Sequence, residues 1–128
     1  MEAWNEERVL LAAAARTATT NTADQENIVH RGLILFVDVT ARAAATTLTP
    51  SLQVKDLAGN YITIWTVAAA INSANTSLAY LFYPSANADA ASLYTEAVDL
   101  VIGRTWRVAV AHNAADSITY SVACSLII

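Results

Sequence analysis

Residues 104–128 read RTWRVAVAHNAADSITYSVACSLII, and their spacing decides the fold. Trp106, Val108, Val110 and His112 alternate with Arg107, Ala109 and Ala111. After the polar stretch Asn113-Ala114-Ala115-Asp116-Ser117, the residues Ile118, Tyr120, Val122, Cys124, Leu126 and Ile128 alternate with Thr119, Ser121, Ala123 and Ser125. Successive side chains of a strand point to opposite faces, so an apolar residue at every second position marks a strand with one face in a core. Two such runs about a short polar turn predict a β-hairpin. The second run reaches the last residue, which predicts that this terminus is tied into a sheet.

The same period extends upstream. In Gly32–Ala41, Leu33, Leu35, Val37 and Val39 face one way, and Ile34, Phe36, Asp38 and Thr40 the other. With both faces largely apolar, this reads as a central strand or one covered by a partner. Ser51–Asp56 and Tyr61–Ala68 flank Leu57-Ala58-Gly59-Asn60, a second hairpin whose Gly59-Asn60 tolerates positive φ. Leu52, Val54, Ile62 and Ile64 are expected inward, leaving Tyr61 and Trp65 on the opposite face as a sheet-edge cover or an exposed aromatic contact surface. Thr76–Tyr83 is a strand stopped by Pro84. Arg8–Thr17 reads as a first strand, although its alanines also permit a helical turn. Thr19–Arg31 is a polar loop in which Thr22 and Gln25 resemble a capping box. Ser85–Ala91 is a small polar loop, and Ser92–Ile102 suits either a strand or a short helix. The expectation is an all-β antiparallel sandwich, jelly-roll-like, with seven to eight short strands. Its domains are an extended N-terminal arm, residues 1–8, and a single sandwich, residues 9–128.

At 128 residues the chain fits one domain with a core that needs no disulfide or metal. Its charged fraction of 14% is low. Charge-poor surfaces often belong to proteins that live against partners. The net charge of −4, with Lys55 the only lysine among seven cations, argues against a nucleic-acid partner and against docking on anionic lipid. The acidic N-terminus and the short apolar run Val9–Ala15 read as neither a targeting segment nor a membrane span. Asn75-Thr76-Ser77 matches a glycosylation acceptor and reads as a chance match in a loop.

The residues carry little chemistry. His30 and His112 have no second ligand at metal spacing. Cys124 falls in phase with an apolar face and reads as a buried small hydrophobe, although Cys124, His112 and Asp116 form the best catalytic set available. Asp38 interrupts an apolar strand and is expected to meet an arginine or water. There is no glycine-rich phosphate loop, nucleophile elbow or calcium loop. No catalytic residue, cofactor or metal is expected. Trp65, with Tyr61, Tyr83 and Tyr94, offers a platform on which a glycan would stack. Trp4, alone in a polar arm, suits anchoring to a neighbouring subunit.

Three groups of residues carry a resemblance: Ala15-Arg16-Thr17-Ala18-Thr19-Thr20-Asn21 with Ala23-Asp24-Gln25; Arg31-Gly32 with Val37-Asp38-Val39-Thr40; and Arg104-Thr105-Trp106-Arg107-Val108 with Asp116 to Val122. They resemble a family of small structural proteins of tailed bacteriophages, and most of all a capsid decoration or cement protein. The resemblance implies a non-enzymatic homo-oligomer, a trimer first, bound to the major capsid protein on the outer surface of a virion and synthesised in the host bacterial cytoplasm. It gives the arm a role, with Trp4 as anchor and Glu6, Glu7 and Arg8 as polar contacts over a neighbouring subunit. A tail, neck or head-fibre component is the alternative within a virion. A carbohydrate-binding sandwich using Trp65 and Tyr61 is the alternative outside it.

Overall fold

The computed structural model describes residues 4–86 and 93–128. Met1–Ala3 of the arm, and most of the loop expected at 85–91, lie outside them. Ten strands and no helix are present among the described residues: β1 Glu6–Arg16, β2 Thr20–Asn21, β3 Gln25–Glu26, β4 Gly32–Arg42, β5 Leu48–Lys55, β6 Tyr61–Thr66, β7 Thr76–Tyr83, β8 Glu96–Asp99, β9 Thr105–His112 and β10 Ile118–Ile127. The count exceeds the expected seven to eight because two-residue strands β2 and β3 punctuate the segment read as a polar loop. The Thr22–Gln25 capping box does not form. The Thr22 hydroxyl instead accepts the Val108 N–H at 2.9 Å, bonding the loop to β9. In 92–102 the strand reading holds over Glu96–Asp99, where β8 runs parallel to β7.

The sheets have the orders β1-β10-β4-β7-β8 and β2-β9-β5-β6, with β3 also on β9. Read along the chain, β1 pairs with β10 and β2 with β9, while β4 pairs with β7 and β5 with β6. The chain therefore folds as two antiparallel ribbons, each crossing from one sheet to the other. That connectivity is a jelly roll, with β8 added at one edge.

It also overturns the terminal hairpin. β9 and β10 lie in opposite sheets, and Asn113–Ser117 is the corner between them. Alternation correctly assigns which residues face the core, but both sheets send their alternate side chains into the same space, so it cannot say which strands pair. The corner is held by its neighbours in the ribbons. The Asn113 side-chain oxygen accepts the Thr47 N–H at 2.7 Å, and the Thr19 hydroxyl accepts the His112 N–H at 3.2 Å.

Between the sheets, Leu33, Leu35, Val37 and Val39 of β4 meet Trp106, Val108 and Val110 of β9, and Ile118, Tyr120, Val122 and Leu126 of β10 complete the layer, all at most 1% exposed. Each such aliphatic side chain contributes about 1.5–3 kcal/mol by leaving water. The central position of β4, between β10 and β7, accounts for its apolar pattern.

The second hairpin forms as expected between β5 and β6, but Ile62, expected inward, is 50% exposed, and Trp65, expected outward, faces the core. Leu52 pairs with Trp65 whereas Gln53 pairs with Thr63, so Ile64 is an extra residue in a bulge. A bulge shifts the phase by one, and Trp65 turns inward to 7% exposure. Its ring packs against Tyr80 at 5.1 Å and Phe82 at 4.7 Å between centroids.

Candidate functional site

The sequence-derived contact residues divide into three places. Trp4 is 64% exposed at the end of the sandwich where β1 starts and β10 finishes. His30 Nε2 lies 2.7 Å from the Trp4 carbonyl oxygen, which can only accept, so that nitrogen carries the proton. The next residue, Asn5, accepts the Ile128 N–H at 3.2 Å. Arg31 N–H bonds the Ile127 carbonyl at 2.9 Å, and Ile102 N–H bonds the Arg31 carbonyl at 3.4 Å. These bonds gather the exposed side chains of Trp4, Ile28, Val29, Val101 and Ile128 at one end. The opposite end, formed by the corners 17–19, 43–47, 67–75 and 113–117, presents no large exposed hydrophobic among the described residues. Of the two ends, the terminal one carries the large exposed hydrophobics, while Val9, Phe36, Ile62 and Leu93 are exposed away from it.

Glu6, Glu7 and Arg8 belong to β1, opposite Leu126, Ser125 and Cys124. Arg8 holds Glu6 at 3.0 Å through Nε, and its Nη1 donates to the Gln25 side chain and the Glu26 carbonyl at 3.3 and 3.2 Å. It thus clasps the edge of one sheet to β3 of the other. The Glu6 carboxyl is held below its usual pKa by the Arg8 hydrogen bond. Glu7 points outward and makes no hydrogen bond or ion pair among the described residues.

Tyr61 and Trp65 do not share a surface. Trp65 is buried, so the aromatic platform expected around it does not form. Tyr61 lies on the outer face of the second sheet with the Arg107 guanidinium 3.5 Å above its ring, and its hydroxyl donates to Asp24 at 2.7 Å. Lys55 pairs with the same carboxylate at 3.0 Å. Asp24 is held below the usual range first by the Tyr61 hydrogen bond, then by Lys55. One face of the Tyr61 ring is covered by the Arg107 guanidinium.

The catalytic set does not assemble. Cys124 is 1% exposed, and burial pushes its thiol up to about 11, so it stays protonated at neutral pH. The His112 ring packs against Tyr120, 5.8 Å between centroids. Tyr120 and Cys124 are four residues apart on β10, about 13 Å along an extended strand. Asp116 is exposed in the corner. No cluster of three or more metal-ligating side chains occurs among the described residues.

No protein-family model matches the sequence, and no curated protein matches it. A solved structure does. A chain in the structure of infectious bursal disease virus, Gx strain, is similar with a TM-score of 0.52 at 12% sequence identity, over 96% of this chain and 31% of that one. The likeness is one of fold, and this chain spans about a third of that chain's length.

One feature had no sequence signal: a hollow on the outer face of the first sheet. Strand register sets Val9, Ala123 and Phe36 in a row across β1, β10 and β4, with Ala79 next on β7. The small Ala123 beside Phe36 leaves a depression of about 500 Å³ bordered by Glu7, Val9, Phe36 and Asp38. Only the pairing order, invisible to periodicity, brings these residues together.

Proposed function

We propose that this chain is a non-enzymatic structural protein of a tailed-bacteriophage virion, an oligomer that decorates and stabilises the outer capsid surface. The observation that carries the reading is the apolar end around Trp4. A free monomer gains nothing from gathering Trp4, Ile28, Val29, Val101 and Ile128 on one side, whereas a protein seated on a particle buries them. The jelly-roll connectivity and its likeness to a chain in a virus structure support a place in a virion. The resemblance carried by Ala15–Asn21, Arg31–Gly32 and Arg104–Val108 supports the phage assignment and, with it, synthesis in the bacterial cytoplasm.

The mechanism is burial of apolar area against the major capsid protein and neighbouring copies. Many copies act together, so each contact can be modest. The test is co-sedimentation of purified chain with capsids assembled without it. Wild-type chain is expected in the pellet, and Trp4→Ala with Val29→Ser in the supernatant. Equal binding by the variant would remove the terminal end from the reading, and no binding by wild type would sink it.

A further inference from the structure

The ionic partners of this charge-poor surface single out one cation. Arg8 holds Glu6, Lys55 holds Asp24, and Arg104 lies 3.6 Å from Glu26. Arg16 donates to the carbonyls of Ala12, Ala14 and Tyr120, Arg42 to that of Thr46, and Arg107 to the Gln53 side chain. Arg31 alone among the seven cations has no side-chain partner among the described residues. It is exposed on the terminal end, two residues from Val29 and tied through its backbone to Ile127 and Ile102.

Among the described carboxylates, Asp116 stands unpaired in the corner at the opposite end, and the other two without a side-chain partner share one face. Glu7 and Asp38 make no side-chain hydrogen bond or ion pair among the described residues, and both border the hollow on the first sheet. The hollow's apolar walls are Val9, 74% exposed, and Phe36, 36% exposed. The Arg8 guanidinium, which would neutralise them, is committed to Glu6 and β3. The molecule therefore displays a cation beside apolar side chains on its end and two anions beside apolar side chains on its face.

We propose that these two surfaces are the halves of one interface: the Glu7–Phe36–Asp38 hollow receives the Arg31 end of a second copy of this chain. The guanidinium sits over the Phe36 ring beside Asp38, where a cation is attracted to the aromatic face, with Glu7 at the far side of the hollow, in the row of Ser125 and Ile34. Val29 covers Val9. The two patches differ, so the contact is head-to-face and generates a ring if the rotation closes. The inference rests on the oligomeric reading above and names the surfaces that make it. It also answers the net charge of −4, which repels copies unless the contact brings opposite signs together.

The test is sedimentation equilibrium of the full chain over a concentration series. Wild type is expected to associate, more weakly at high salt. Arg31→Glu and Asp38→Arg should each weaken association at least roughly tenfold, as expected for one partner of an interfacial charge pair. The double variant Arg31→Glu with Asp38→Arg should restore it. Both sites are exposed, so thermal melting should match wild type in every variant. A wild-type monomer at all concentrations, or single variants that associate like wild type, would overturn the proposal. So would a double variant no better than the singles. Capsid co-sedimentation separates this from the virion reading, because a monomer that still pellets with capsids leaves that reading standing and this interface refuted.

Discussion

The Glu96 carboxylate joins the two sheets at their shared edge by accepting the Trp65 indole N–H at 3.2 Å and the Ala68 backbone N–H at 2.9 Å. β8 carries Glu96 at the end of one sheet, and β6 carries Trp65 at the end of the other. At the opposite edge Arg8 does the same between β1 and β3. A sandwich is open along both sides, and here each side is closed by one charged side chain.

Glu96→Ala leaves the Trp65 N–H and the Ala68 N–H without this acceptor. We expect a loss of about 1–3 kcal/mol, the cost of an unsatisfied donor at a part-buried site. Glu96→Gln, which keeps one acceptor oxygen, should lose less. Urea unfolding of the three proteins checks the order.

Gly32 opens β4 where β7 passes closest. A Cβ there would overlap the Phe82 carbonyl oxygen and stand 3.0 Å from the Tyr83 Cα, both fixed backbone. Gly32→Ala is expected to destabilise by about 1–3 kcal/mol, as overpacking does. At Gly59, with φ +90 and open space around it, Ala meets only backbone strain, about 1 kcal/mol. Thermal melting should rank Gly32→Ala below Gly59→Ala.

Cys124 should resist thiol reagents in the native protein, because its sulfur is buried and its pKa lies at about 11. Modification is expected only at the rate of unfolding, and fully in denaturant. Stoichiometric labelling of folded protein within minutes at neutral pH would show that the thiol is reachable.

His112 has both ring nitrogens buried without a protein partner among the described residues. Burial, and then the Arg16 guanidinium, lower its pKa from 6.5. The folded state therefore keeps the ring neutral where the unfolded state has begun to take up a proton. Stability should be complete above pH 6.5 and fall as pH drops below it toward the lowered native value. Denaturation midpoints between about pH 5 and pH 8 should show that slope in wild type and a reduced one in His112→Phe.

The sequence made the faces of strands legible and left their partners unread. Alternation assigns Leu33, Leu35, Val37 and Val39 of β4, and Trp106, Val108 and Val110 of β9, to the core because it reports burial. The terminal hairpin failed because β9 and β10 alternate alike although they belong to different sheets. Trp65 faces the core rather than the outer face because one inserted residue, Ile64, flips the phase, and nothing in TIW marks a bulge. The contact residues fared by the same rule. Trp4 could be picked out as an aromatic in a polar arm, while the hollow between Val9 and Phe36 depends on which strands lie side by side. Arg31 could not be distinguished from six other cations until each of those had a partner.

The most direct test of the central claim is a cryo-EM map of the parent virion, with this chain located in it. The account predicts density on the outer capsid surface, with the Trp4 and Ile128 end turned onto the shell and copies in contact through Arg31 and the β4 face. Density confined to the tail or neck, or a particle without the chain, would contradict it.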